Sequence, residues 1–158
     1  MRGKSAPKRV IANDPKTGSV QVAKFINYLM YGGKKSTAQK IMYGAFDTMT
    51  EKNKKPALET FTLAMKNAAP TLEVRSRRVG GSNYQIPFPV RPERRVYLAA
   101  KWIIDAARGK KGKPMRDKLA QELLDASVEQ GAAIKKKQDV HRMAEANKAF
   151  AHFAKYSH

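Results

Sequence analysis

The chain of 158 residues contains no cysteine, which closes off disulfides and thiolate metal sites. Acidic residues are few: 13 Asp and Glu stand against 32 Lys and Arg, for a formal net charge of +19. A self-repelling excess of that size implies a polyanionic partner. Large apolar side chains are also scarce, with Leu, Ile, Val and Phe numbering 30. That is just under the fraction at which disorder becomes a concern, but Ala and Met occupy many further apolar positions at helical spacing. The composition therefore reads as a thin, alanine-rich helical core stiffened by its partner. No apolar run approaches membrane-spanning length. The opening "MRGKSAPKRVIANDPKTGS" lacks the apolar stretch of a signal peptide, so a soluble, intracellular protein is expected.

What is present is helical periodicity with clear punctuation. Residues 1–18 hold Arg2, Lys4, Lys8, Arg9 and Lys16 among Gly, Pro and Asn, and read as an extended basic tail that orders on its partner. Ser19 can cap a first helix carrying Val22, Phe25, Ile26, Leu29 and Met30, stopped by Gly32 and Gly33. A second starts near Ser36, with Ile41, Met42, Ala45, Phe46 and Met49 on one stripe. Pro56 opens a third, with Leu58, Phe61, Ala64, Met65 and Ala68 inward, and Pro70 closes it. Pro92 and Glu93 open a fourth, with Gly109 after its end. Pro114 leads a fifth that Gly131 ends, and a sixth runs from about Ala133 towards the C-terminus. In that sixth helix Val140, Met143, Ala144, Phe150 and Ala151 face inward.

Between the third and fourth helices lies "EVRSRRVGGSNYQIPFPVRPERR", residues 73–95. Alternation of Tyr84, Ile86, Phe88 and Val90 marks β-structure, and Gly80-Gly81 marks a two-residue primed turn. That turn pairs Val79 with Ser82, Arg77 with Tyr84 and Arg75 with Ile86. Pro87 and Pro89 then share a parity that loses no ladder bond, which suits a two-stranded ribbon and not a central strand. The expected fold is mainly α: a single domain over residues 1–158, six helices with one protruding two-stranded antiparallel β-hairpin. The hairpin arm spans 72–90 and the tail 1–18.

No catalytic or metal constellation stands out. "GGKKST", residues 32–37, fails as a phosphate-binding P-loop twice, because Tyr28 stands where the first Gly belongs and Lys35 where Ser or Thr should follow. It reads better as a helix end followed by a lysine pair beside the next N-terminus, which suits a backbone phosphate. His141 and His152 are too far apart along one helix to share a metal, and Asp139 points away from His141. Trp102, beside Ile103 and Ile104, reads as a core edge. The carboxylates sit beside basic residues, with no isolated pair for acid–base work. No enzyme, cofactor or metal is expected.

Six basic clusters remain: the tail; Lys34 and Lys35; Arg75, Arg77 and Arg78; Arg91, Arg94 and Arg95; Arg108, Lys110, Lys111, Lys113 and Arg116; and Lys135, Lys136 and Lys137. Most fall at element ends or loops, which favours a discontinuous phosphate-reading surface for a folded RNA recognised by shape and backbone. An architectural DNA-binding protein would share the charge, but no helix directs Asn, Gln or Arg at base edges as a groove reader requires. An RNA-modifying enzyme would need a cofactor pocket, and no Gly-rich strand–helix turn supplies one.

Three blocks carry a family resemblance: "FINYLMYGGKKSTAQKI" (25–41), "LEVRSRRVGGSNYQIPFPVRPERR" (72–95) and "GAAIKKKQDVHRMAEANKAFAHF" (131–153). The chain closely resembles the universal small-subunit ribosomal protein seven family in its bacterial form, over nearly its whole length. It departs at Lys16-Thr17, at Gln138 and Val140, and in its ending "KYSH". The resemblance implies a primary binder of small-subunit ribosomal RNA, at the three-prime major domain, that nucleates head assembly. The clusters above, from Arg2 to Lys137, are its expected RNA contacts. The resemblance also implies a place at the exit site, with Val79, Gly80, Gly81, Ser82, Asn83 and Arg142 meeting transfer RNA. Small-subunit proteins nine and eleven are the implied neighbours; no membrane and no homo-oligomer is expected.

Overall fold

The computed structural model describes residues 3, 6–7 and 9–156. The chain folds as two compact units, Met1–Lys40 and Ile41–His158. In the first, residues 14–18, read from the sequence as the end of an extended tail, close a turn. The buried Asp14 carboxylate accepts from the Thr17 N–H at 2.9 Å and from its hydroxyl at 2.8 Å. Ser19 then caps α1 (Val20–Leu29), its side chain accepting from the Val22 N–H at 3.5 Å. After α1, Gly32 and Gly33 take positive φ, a region that favours glycine, and α2 (Lys35–Asn53) begins.

The second unit is built on α3 (Ala57–Ala68), α4 (Pro92–Gly109), α5 (Met115–Ser127) and α6 (Ala132–Ala146). Helix α3 packs on α4 and α5, and α4 packs on α5 and α6. Phe61, Ile103, Leu119 and Leu123 are fully buried, each worth about 1.5–3 kcal/mol of apolar transfer. Ala64, Ala68, Ala99, Ala100, Ala107, Ala120 and Ala126 are equally buried. These small side chains let helix backbones approach closely, so a core with few large residues still closes. Phe46 of α2 meets Phe61 edge-on with ring centroids 5.9 Å apart.

Strands β1 (Leu72–Val79) and β2 (Ser82–Pro89) form an antiparallel hairpin between α3 and α4. Its register is the expected one: Val79 opposite Ser82, Arg77 opposite Tyr84, Arg75 opposite Ile86. Gly80 and Gly81 have φ of +57° and +90°, as a type I′ turn demands. Counting from the turn, Pro87 and Pro89 face Val74 and Leu72 at non-hydrogen-bonded positions. Neither proline therefore interrupts the ladder. Ile86 is fully buried while residues 80–83 are exposed, so the ribbon is rooted at one end and open at the other.

Further expectations change. Gly131 does not end α5, which stops at Ser127; it precedes α6 as the N-cap, at φ +95°. The sixth helix breaks at Asn147, and Lys148–Tyr156 continue as a 3-10 segment. From there Phe150 packs against Tyr84 of β2, with ring centroids 5.0 Å apart, and Ala151 is exposed. Met143 and Leu58, read as core, are 49% and 38% exposed. The inward stripe of α6 instead includes Lys137 and His141, whose polar atoms bond back to residues 67 and 71, and this turns Met143 outward.

The N-terminus of α6 is held by a side chain from α5. Glu122, wholly buried, accepts the Ala133 N–H on Oε1 at 2.9 Å, and Lys110 Nζ lies 2.7 Å from its Oε2. A Cβ at Gly131 would lie 2.9 Å from Glu122 Oε1 and 3.1 Å from Asp125 Cβ. Gly131→Ala therefore meets both a forbidden φ and a blocked approach, and is expected to lose about 2–3 kcal/mol in urea unfolding. Gly112→Ala, at φ +80° with open space around its Cβ, is the comparison and should lose about 1 kcal/mol. Equal losses would show that Glu122 can step aside.

Candidate nucleic-acid interface

A cationic site lies where the hairpin root meets the start of α4. Strand β1 brings Glu73 and Arg75, β2 ends in Phe88 and Pro89, and the first turn of α4 follows Arg91 and carries Arg94; together they line an open cavity of about 670 Å³. The Glu73 carboxylate, 11% exposed, is the organiser. Its Oε1 accepts from Arg75 Nε at 2.7 Å and also from Arg75 Nη2, and its Oε2 accepts from Arg94 Nε at 3.3 Å. The Arg75 guanidinium lies over the Phe88 ring at 5.5 Å, and that of Arg94 over the Tyr97 ring at 5.1 Å. One carboxylate thus fixes the planes of two guanidinium groups that keep 60% and 47% of their side-chain surface in water. The sequence shows Glu73 only as a neighbour of Arg75; its grip on Arg94 comes from the fold.

The other expected contacts separate into outward cations and cations with internal work. Arg9, Lys34 and Lys35 are exposed on the first unit. On the second, Arg78, Arg91, Arg108, Lys111, Lys113, Arg116, Lys135 and Lys136 are exposed, and Arg77 is half-buried. Arg142 is 79% exposed, 3.6 Å from Asp139. Lys110 is committed to Glu122 and Asp125, at 2.7 and 3.4 Å. Lys137 Nζ donates to the Asn67 carbonyl at 2.6 Å and Arg95 Nε to the Pro70 carbonyl at 3.1 Å. Those three tie helices and linkers together, a role that spacing along the chain does not reveal. Gly80, Gly81, Ser82 and Asn83 are exposed at the arm tip, beside the backbone of Val79. Arg2, Lys4 and Lys8 lie outside the described residues.

His141, half-buried on α6, ties that helix to the approach of β1. The Thr71 N–H donates to His141 Nε2 at 3.1 Å, which requires an unprotonated Nε2 and so a neutral ring. Burial, and then the charge of Lys137, hold its pKa below the ordinary 6.5. The histidine is a structural acceptor. Among the described residues no group of three His, Asp or Glu side chains is gathered to hold a metal ion, and no helix is long and apolar enough to cross a membrane.

A helical scaffold that aligns guanidinium groups with a buried carboxylate and displays further cations at its element ends is built to hold a polyanion. The comparisons with known proteins place it more closely. Residues 1–148 match the family described as ribosomal protein S7p/S5e, and the chain belongs to that family. It is 58% identical over 153 residues to the small ribosomal subunit protein uS7 of Thermotoga maritima, covering 97% of this chain and 99% of that one. Its identity to the uS7 of Dechloromonas aromatica is 55% over 152 residues, covering 96% and 97%. The family is one of ribosomal structural proteins, and the chain is not an enzyme.

The His141 bond carries a pH dependence whose sign follows from the lowered pKa. As pH falls below 6.5 the unfolded chain takes up a proton before the folded one. The bond's contribution is therefore present above 6.5 and lost below it. The stability difference between the parent chain and His141→Ala, from urea unfolding, should be larger at pH 8 than at pH 5.5. A constant difference would contradict the assignment.

Proposed function

We propose that this chain is a structural component of the small ribosomal subunit. As a primary binder it takes small-subunit ribosomal RNA at the three-prime major domain and nucleates assembly of the head. Both compact units serve as one ribosomal-protein domain in this reading. The observation that carries the proposal is the placement of cations: they cluster at the hairpin root, in the α4–α5 loop and at the start of α6, where folded RNA can be touched at several points. Arg75, Arg91, Arg94 and Arg116 are the strongest candidates for phosphate contact, each exposed and each on a fixed element. Lys110, Lys137 and Arg95 act mainly within the protein, so their replacement weakens RNA binding through the fold.

The hairpin supports a second contact. Eight residues per strand give an arm of roughly 25 Å, rooted through Ile86 and exposed from Gly80 to Asn83. That tip, with Arg142, meets transfer RNA at the exit site, and small-subunit proteins nine and eleven lie alongside. The family name of the relatives, which places them in the small subunit, agrees with this setting.

Protection mapping of small-subunit ribosomal RNA with the purified chain tests the first half, and protection confined to the three-prime major domain is expected. Deleting residues 77–84 and closing the gap tests the second. The shortened chain should keep most of its ribosomal-RNA affinity and still assemble heads, while transfer-RNA release or reading-frame fidelity is disturbed. A deletion that cannot assemble, or that assembles with normal fidelity and release, would remove the arm tip from that role.

A further inference from the structure

A carboxylate is out of place in a phosphate-binding pocket, because it repels the ligand. Glu73 nevertheless lies in the wall of a cavity lined by three arginines, Arg75, Arg91 and Arg94. Alignment of Arg75 and Arg94 accounts for three of its acceptor sites: two on Oε1 and one on Oε2. A carboxylate has about four. One site on Oε2 therefore remains for a ligand, in a cavity that already holds an aromatic ring and a stacked guanidinium. The volume of about 670 Å³ lies within the range of small-ligand sites, roughly 300–1,000 Å³.

We propose that this cavity takes a single unpaired nucleobase extruded from the bound RNA, and that Glu73 selects a base carrying an exocyclic amino group. The proposal rests on the RNA-binding reading above. The outer face of Arg75, whose inner face lies over Phe88, supplies the stacking plane. Arg91 and Arg94 neutralise the flanking phosphates. The free position on Glu73 Oε2 accepts from an amino group such as cytosine N4. Uracil presents carbonyl oxygens on either side of its one N–H, and these meet the carboxylate unfavourably. The site thus discriminates by chemistry between cytosine and uracil, two bases of similar size and stacking strength. Phosphate contacts alone give no such discrimination, since they are the same for every sequence.

The test uses short cytidine and uridine homopolymers of equal length, bound to the full chain at one ionic strength. Equal length means equal charge, so counterion release cancels in the ratio of affinities. The parent chain should prefer the cytidine polymer by about tenfold, the discrimination expected of one well-placed hydrogen-bonded pair. In Glu73→Gln the side-chain amide can also donate to a uracil carbonyl, and the preference should fall to within about twofold. Phe88→Leu removes the ring beneath Arg75 and should weaken the cytidine polymer more than the uridine one. If Glu73 only aligns the arginines, Glu73→Gln lowers both affinities together and leaves the ratio intact, which overturns the proposal. A parent chain with no preference overturns it as well. Binding of three-prime major-domain RNA is measured in parallel: its persistence in a chain without base preference rejects the pocket alone, whereas its absence rejects the RNA-binding reading itself.

Discussion

With 32 Lys and Arg against 13 Asp and Glu, the chain has to close a small core against its own charge. Two buried glutamates sit at joints between its elements. Glu73 bridges the hairpin root and α4 by holding Arg75 and Arg94 together. Glu122 joins the end of α4, α5 and the start of α6 by pairing with the Lys110 ammonium and accepting the Ala133 N–H. Glu73 offsets the repulsion between two guanidinium groups, and both carboxylates fix the geometry of the groups they bind. Removing Lys110 from the wholly buried Glu122 costs about 3–5 kcal/mol, because the carboxylate is left uncompensated, whereas the Glu73 pairs, whose guanidinium groups are half in water, contribute less. The cationic surface depends on these interior anions.

Much of this architecture is legible in the residues. Pro56, Pro92 and Pro114 mark three helix starts, Ser19 caps α1, and Gly80-Gly81 sets the hairpin register to the residue. These features are local, and local rules find them. Other features are long-range. Glu122 meets Ala133 across eleven positions, Arg94 meets Glu73 across twenty-one, and Lys137 meets Asn67 across seventy. Nothing near those residues in the chain announces the partner. The error at Met143 has the same origin: apolarity assigned the inward face of α6, but Lys137 and His141 occupy it through bonds made by their polar ends. The apolar residues of the 3-10 segment at the end match helical spacing equally well, and the packing of Phe150 on Tyr84 of the hairpin is a long-range contact that spacing does not reveal.

The same distinction applies to the site. Clusters of Lys and Arg identify a polyanion binder from composition alone. Which of those cations face outward is a property of the fold, since Lys110, Lys137 and Arg95 are turned to internal partners while Arg91 and Arg116 are exposed, as is most of Arg75 despite its bonds to Glu73. Membership of the ribosomal protein S7p/S5e family gives this surface its context. An arm rooted at one end and exposed at the other then extends the reach of a body whose own core is thin.

The central claim is that folded ribosomal RNA is held by many phosphate contacts on a preorganised cationic surface. The salt dependence of affinity for three-prime major-domain RNA measures it most directly. Some 6–10 contacts predict a log–log slope of about −5 to −9, with duplex DNA of equal length bound much more weakly at every salt concentration. An affinity independent of salt, or equal affinity for duplex DNA, would contradict the account.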